Sequence, residues 1–164
     1  MYQPGDQVVY GIHGVCVILG TEVKTVDRQK ISYLILEPID QPGSRFFIPK
    51  DKPAAVAKLN SLLTVEEAKA MLFTQEDTGN AWIADENRRK LHYRELIASA
   101  DRKALLSMVR ALYRHKKEQQ LQGKKFHQCD ENFLRDAEKL LYSELSRVLE
   151  LPPREIAAYF SKDT

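Results

Sequence analysis

The side chains in this chain best suited to chemistry are its four histidines and two cysteines. His13, His92, His115 and His127 are candidate bases or metal ligands, and Cys16 and Cys129 candidate nucleophiles or soft ligands. Their spacing supports neither role. No two histidines stand four apart and there is no CxxC pair, so the ligand spacings of a zinc site are missing. His127 and Cys129 make one pair of potential ligands without a second pair. An enzyme built on Cys129 with His127 as its base would also need an orienting third group, and none is evident. The phosphate-cradling patterns GxxxxGK[ST] and GxGxxG and the nucleophile elbow GxSxG are absent. The reading is a non-enzymatic protein with no metal, no cofactor and no small-molecule substrate. In a reducing compartment both cysteines read as small apolar thiols.

Charge is the more informative property. The formal net charge is only +2, but it is unevenly distributed. Residues 87–126 hold twelve basic and three acidic side chains, a net charge of +9, while residues 61–86 carry −5 and residues 127–164 carry −3. Three acids cannot pair with twelve bases, so a solvated face of intrahelical ion pairs does not account for the block. Lys and Arg at this density neutralise phosphates and release counterions. Such contacts position a protein on nucleic acid without reading its sequence. Arg88, Arg89, Lys90, Arg114, Lys124 and Lys125 are the candidate contacts. Trp82, the only tryptophan, lies at the start of this block. It is either a wedge that stacks on a base or enters a groove, or an anchor packed at a helix start.

These residues need elements to position them. Val8 to Tyr10, Val15 to Leu19, Tyr33 to Leu36 and Phe46 to Ile48 are short β-forming runs. Gly11 to Gly14, Asp27-Arg28-Gln29 and Asp40 to Ser44 separate them. The pattern predicts a small antiparallel barrel or curled sheet with exposed edges, rimmed by Lys24, Arg28 and Arg45. After Pro49 and Pro53, Thr64-Val65-Glu66-Glu67 resembles a capping box that starts a helix. Thr74 to Asn80 is polar and marks a boundary. A helix is expected from Trp82 to Ala98. A second is capped by Asp101 and ended by Gly123, with Leu105, Met108, Val109 and Leu112 on one face. A third is capped by Asp130, and a short last one starts at Pro152-Pro153. The domains are thus a β-domain at 1–60, a connecting helix and linker at 61–79, and a helical domain at 80–164. The fold class is α+β. No apolar run approaches the roughly 20 residues of a membrane span. The start lacks a basic region followed by an apolar stretch, so a cytoplasmic location is expected.

The run Pro4-Gly5-Asp6-Gln7-Val8-Val9-Tyr10 with His13-Gly14-Val15 resembles the opening of the CarD/CdnL family. It also resembles the RNA-polymerase-interacting domain of transcription-repair coupling factors. The resemblance continues through Tyr33-Leu34-Ile35-Leu36 and Phe46-Phe47-Ile48-Pro49. It resumes at Arg88-Arg89, Asp101, Val109-Arg110-x-Leu112-Tyr113 and Leu134-x-x-Ala137-x-x-x-Leu141-x-x-Glu144-Leu145. No helicase motif is present, which favours a stand-alone regulator. The resemblance implies a Tudor-like N-terminal barrel that binds the RNA polymerase β subunit. It also implies a compact C-terminal helical bundle at the upstream edge of the transcription bubble, where a tryptophan wedges into the minor groove and steadies the open promoter complex. Lys24 matches a basic polymerase-contact position. A second such position aligns with Phe47, with Arg45 as its substitute. Arg88 and Arg89 match a basic pair beside the wedge. Trp82 stands about one helical turn before the family's tryptophan position, which falls near Glu86. Lys124, Lys125 and Arg135 stand in for basic positions of the third helix.

The expected partners are therefore polymerase and promoter DNA contacted largely without sequence preference, with the protein at the nucleoid through polymerase. A free-standing nucleic-acid binder and a polymerase adaptor without DNA contact are the rival readings.

Overall fold

The computed structural model describes residues 2–73 and 82–161. The linker expected at Thr74 to Asn80 lies outside these residues. The chain divides into two units, Met1–Leu62 and Leu63–Thr164. The class is the expected one, an α+β chain with an antiparallel sheet before a set of helices.

The first unit contains β1 (Gln7–Tyr10), β2 (Val15–Val26), β3 (Gln29–Pro38), β4 (Phe46–Pro49), a single helical turn α1 (Pro53–Val56) and β5 (Leu59–Ser61). The strands form one antiparallel sheet in the order β4-β3-β2-β1-β5, so β4 and β5 are its edges. Val8, Cys16, Ile18, Leu34, Leu36, Ile48 and Leu59 make its core. Cys16 and Ile18 on β2, and Leu34 and Leu36 on β3, follow the two-residue alternation that puts side chains on one face. Four strands were expected from apolar runs. The fifth, Leu59–Ser61, has a single buried residue and so no run to betray it.

The second difference is length. β2 and β3 run well beyond their apolar parts, bending at a bulge between Ile18 and Gly20. Residues 21–30 are exposed throughout. The hairpin closes through Asp27 and Arg28, with φ of 49° and 66°. Positive φ at both central residues is the turn geometry whose twist matches paired strands. Past Gly20 this hairpin has β3 on one side of β2 and no strand on the other.

The second unit contains α2 (Val65–Phe73), α3 (Glu86–Ser99), α4 (Arg102–Leu121), α5 (Gln128–Leu149) and α6 (Pro153–Ser161). The Thr64 hydroxyl accepts from the Glu67 amide at 3.1 Å and starts α2 as the capping pattern implies. Asp101 caps α4 by accepting from the Lys103 amide at 3.0 Å. Leu105, Met108, Val109 and Leu112 pack against Leu134, Ala137, Leu141 and Leu145 of α5, joined by Ile156 and Phe160. Residues 65–73, read from sequence as a connecting helix, contribute Ala68 and Leu72 to this same core. Buried Glu144 ties the unit together. It accepts from the Leu63 amide at 2.8 Å and from Arg102 Nε and Nη2 at 2.6 and 2.7 Å. One carboxylate thus links α5, α4 and the lead into α2.

Two helix starts differ from expectation. Helix α3 begins at Glu86, capped by Asp85 accepting from the Arg88 amide at 2.9 Å, so Trp82 precedes the helix. Helix α5 begins at Gln128 after His127, so Asp130 lies inside its first turn and caps nothing. Its carboxylate has another partner, described below.

The two thiols differ sharply. Cys16 is fully buried, and burial, reinforced by Asp40, pushes its pKa up to about 11. Cys129 is half-exposed. At pH 8 a thiol-specific reagent is expected to modify Cys129 within minutes and Cys16 only in denaturant. Equal rates in the native protein would contradict this core.

Candidate polymerase and nucleic-acid interfaces

On the first unit, Lys24 of β2 reaches over the ring of Phe47 on β4, with Nζ 3.7 Å from the ring centroid. Tyr33 meets Phe47 edge-on at 6.2 Å. An ammonium over an exposed ring is held by about 0.5–1 kcal/mol. Phe47, which stands where a second cation was expected, therefore seats the first one. Phe47 is 39% exposed and Val23 62%, and both belong to the region of the projecting hairpin and the β4 edge. Arg28 sits in the hairpin turn and Arg45 just before β4, both exposed. The structure brings Lys24 and Phe47 into contact. Tyr33 completes the cluster and was read from sequence only as strand. His13, part of the opening motif, packs its ring 4.3 Å from Phe46 and 5.1 Å from Tyr10, a structural use of the histidine.

On the second unit, the adjacent pair Arg88-Arg89 divides. Arg88 is exposed in the first turn of α3. Arg89 is 4% exposed and grips Asp130, itself wholly buried, through Nε–Oδ1 at 2.9 Å and Nη2–Oδ2 at 3.0 Å. Its Nη1 donates to the Ile83 carbonyl at 3.0 Å and lies 3.4 Å from that of Ala84. Burial disfavours its charge, but the bonded Asp130 carboxylate more than offsets this, and the net pKa is raised. Arg89 is thus a framework residue here, and the expectation of a phosphate contact from it is corrected. Consecutive helical residues lie about 100° apart around the axis, so a pair of arginines cannot face one way.

Trp82 is half-buried and packs against the helical core. The His115 imidazole stacks on its indole, centroids 3.6 Å apart and planes within 10°. The Arg89 guanidinium also lies over it, 4.6 Å from the centroid. Because Trp82 precedes α3, its position does not follow from a one-turn shift along that helix. The indole is placed by these side chains instead.

The remaining basic residues fall into groups. Lys90 pairs with Glu86 at 3.0 Å and Lys116 with Glu131 at 3.1 Å. Lys124 and Lys125 are exposed in the α4–α5 loop, and Arg135 is exposed on α5. Arg114 belongs to a stripe that the spacing 103, 107, 110, 114, 117 draws along α4: Lys103, Ser107, Arg110, Arg114 and Lys117. Its steps of four, three, four and three keep one helical face, opposite the buried leucines. That spacing was legible in the sequence, which set Arg110, Arg114 and Lys117 among the phosphate-neutralising basic residues but did not single out the stripe. Asp130 and His115, which fix the Trp82 region, carried no recognisable local signal.

Among the described residues, no group of three His, Cys, Asp or Glu could hold a metal ion, and no helix is long and apolar enough to cross a membrane. Cys129 Sγ lies 3.6 Å from a Glu86 carboxylate oxygen. Residues 2–60 match the family model described as the CarD-like/TRCF RID domain, which supports an RNA-polymerase-interacting role for the N-terminal unit. No curated protein is similar enough to the chain to match it.

The division of the arginine pair makes a contrast. Asp130→Asn, which leaves Arg89 buried and unpaired, is expected to destabilise the protein by about 3–5 kcal/mol. Arg88→Ala should cost less than about 0.5 kcal/mol. Urea unfolding followed by circular dichroism measures both, and similar losses would refute the assigned roles.

Proposed function

We propose that this protein is a non-enzymatic transcription regulator that binds the RNA polymerase β subunit through its N-terminal unit. Its helical unit contacts promoter DNA at the upstream edge of the bubble and stabilises the open complex. The observation that carries the reading is the polymerase-interacting domain at residues 2–60. Lys24 seated on Phe47, with Arg28 and Arg45 nearby in sequence and exposed, supplies a cationic, partly aromatic surface beside an open strand edge. An edge strand lengthened by a partner's strand gains affinity from main-chain hydrogen bonds. The charges around it set register and association rate.

The DNA half of the reading is supported by the exposed cations of the helical unit: Arg88, Lys103, Arg114, Lys117, Lys124 and Lys125. Exposed cations on a helix and a loop suit phosphate contact. Selectivity for promoters then comes from polymerase and from the deformability of the DNA. Trp82 is the candidate wedge. The reading places the protein in the cytoplasm, at the nucleoid while bound to polymerase.

The test is capture of the isolated polymerase β lobe by the full chain. Wild type is expected to retain it, and Lys24→Glu to lose at least tenfold in affinity with unchanged melting. Retention equal to wild type by Lys24→Glu would remove the proposed surface. For the DNA contact, log affinity for duplex DNA should fall linearly with log salt, and Arg114→Ala should reduce the slope by about one. A slope near zero in the wild type would leave an adaptor without DNA contact.

A further inference from the structure

We infer that His115 is a positioning residue that holds Trp82 as a preset wedge for the DNA. The inference rests on the reading that Trp82 meets the promoter.

Trp82 stands on an irregular segment just before α3, where no helical hydrogen bonds fix its backbone direction. A tryptophan on such a segment has several rotamers open to it. Inserting it into a groove would then require ordering the ring at the moment of binding, at an entropic cost. Three side chains remove that freedom beforehand. His115, from the middle of α4, lays its ring flat on the indole at 3.6 Å. Arg89, from α3, places its guanidinium over the same ring at 4.6 Å. Asp130, from α5, fixes Arg89, and the Ile83 carbonyl that accepts from Arg89 Nη1 lies next in sequence to Trp82 itself. The indole is thus held by side chains of α4 and α3, the latter anchored from α5, and Trp82 as a residue is only partly buried.

His115 is suited to this task. Gln119 Nε2 lies 3.1 Å from its Nε2, a hydrogen bond that orients the ring, while the Glu118 carboxylate is farther off, 3.9 Å from Nδ1. Burial, the largest influence, together with Arg89 and His127, lowers its pKa against the opposing pull of Asp130 and Glu118. A neutral ring can stack on the indole without setting a second positive charge beside the Arg89 guanidinium. Arg89 cannot be removed without unpairing buried Asp130, so it serves stability and position together. His115 can be removed without that penalty, so it separates the two.

Trp82 is the only tryptophan, so its fluorescence reports the clamp directly. Three variants of the full chain are compared: His115→Leu, which keeps apolar bulk without a flat ring, His115→Phe, which keeps a ring, and Trp82→Ala. Free-protein fluorescence anisotropy and emission wavelength are measured for the two His115 variants. The lifetime of open promoter complexes under competitor challenge is measured for all three, with β-lobe capture and circular dichroism alongside. His115→Leu is expected to lower the anisotropy and red-shift the emission. It should shorten the open-complex lifetime about two- to tenfold, the range expected when one large side chain must be ordered on binding. Capture and helical signal should stay at wild-type values, and His115→Phe should restore both fluorescence and lifetime. If Trp82→Ala shortens the lifetime and His115→Leu leaves it unchanged or lengthens it, the positioning role is overturned and the wedge stands. A lifetime unaffected by Trp82→Ala overturns the wedge, and the positioning role with it.

Discussion

Burying Arg89 with Asp130 removes two full charges from water, and the desolvation is several kcal/mol per ion. Only a geometry that uses the donors fully can offset it. Here the carboxylate takes Nε and Nη2 in a fork, and the backbone carbonyl of Ile83 takes Nη1. The pair joins α3 to α5 and pulls the segment ahead of α3 against the helices. The placement of Trp82 follows, since its indole lies under the same guanidinium. So does the solvent-facing part of the basic segment. With residue 89 turned inward, Arg88 is turned out, and the rest of α3 is fixed in rotation.

A similar economy operates at the other end of the chain. The sheet core is small, seven buried side chains in one cluster, and the far end of its long hairpin, residues 21–30, adds nothing to it. Beyond Gly20 the two strands hold together through paired main chains and a two-residue turn with positive φ at both positions. An unpaired edge of this kind is a liability in isolation, inviting association with other strands. The exposed charges at Lys24, Arg28 and Arg45 discourage such self-pairing.

Much of this was legible in the sequence. Apolar alternation located the central strands. The spacing of Leu105, Met108, Val109 and Leu112 located the α4 core face, and Thr64 and Asp101 announced their helices by cap chemistry. What escaped has a physical reason in each case. Residues 21–30 pair as strands while exposed on both faces, so no hydrophobic period marks them. The short β5 is defined by its neighbour β1. Asp130 looks like a cap because capping and buried pairing use the same carboxylate, and only the distant Arg89 decides between them. The basic block read as one surface, since net charge carries no direction. In three dimensions it divides into an α4 stripe, an exposed loop pair, two ion-paired lysines and one buried arginine.

The central claim is that polymerase carries the helical unit to the upstream edge of the bubble. Photo-crosslinking maps this directly, using promoter DNA with reactive groups placed one at a time along both strands, bound by polymerase holoenzyme and the full chain. The account predicts crosslinks to the region holding Trp82 and Arg88 that cluster at the upstream edge of the bubble and become weak and evenly spread when holoenzyme is omitted. Crosslinks spread evenly along the duplex with holoenzyme present, or equally strong without it, would contradict the account.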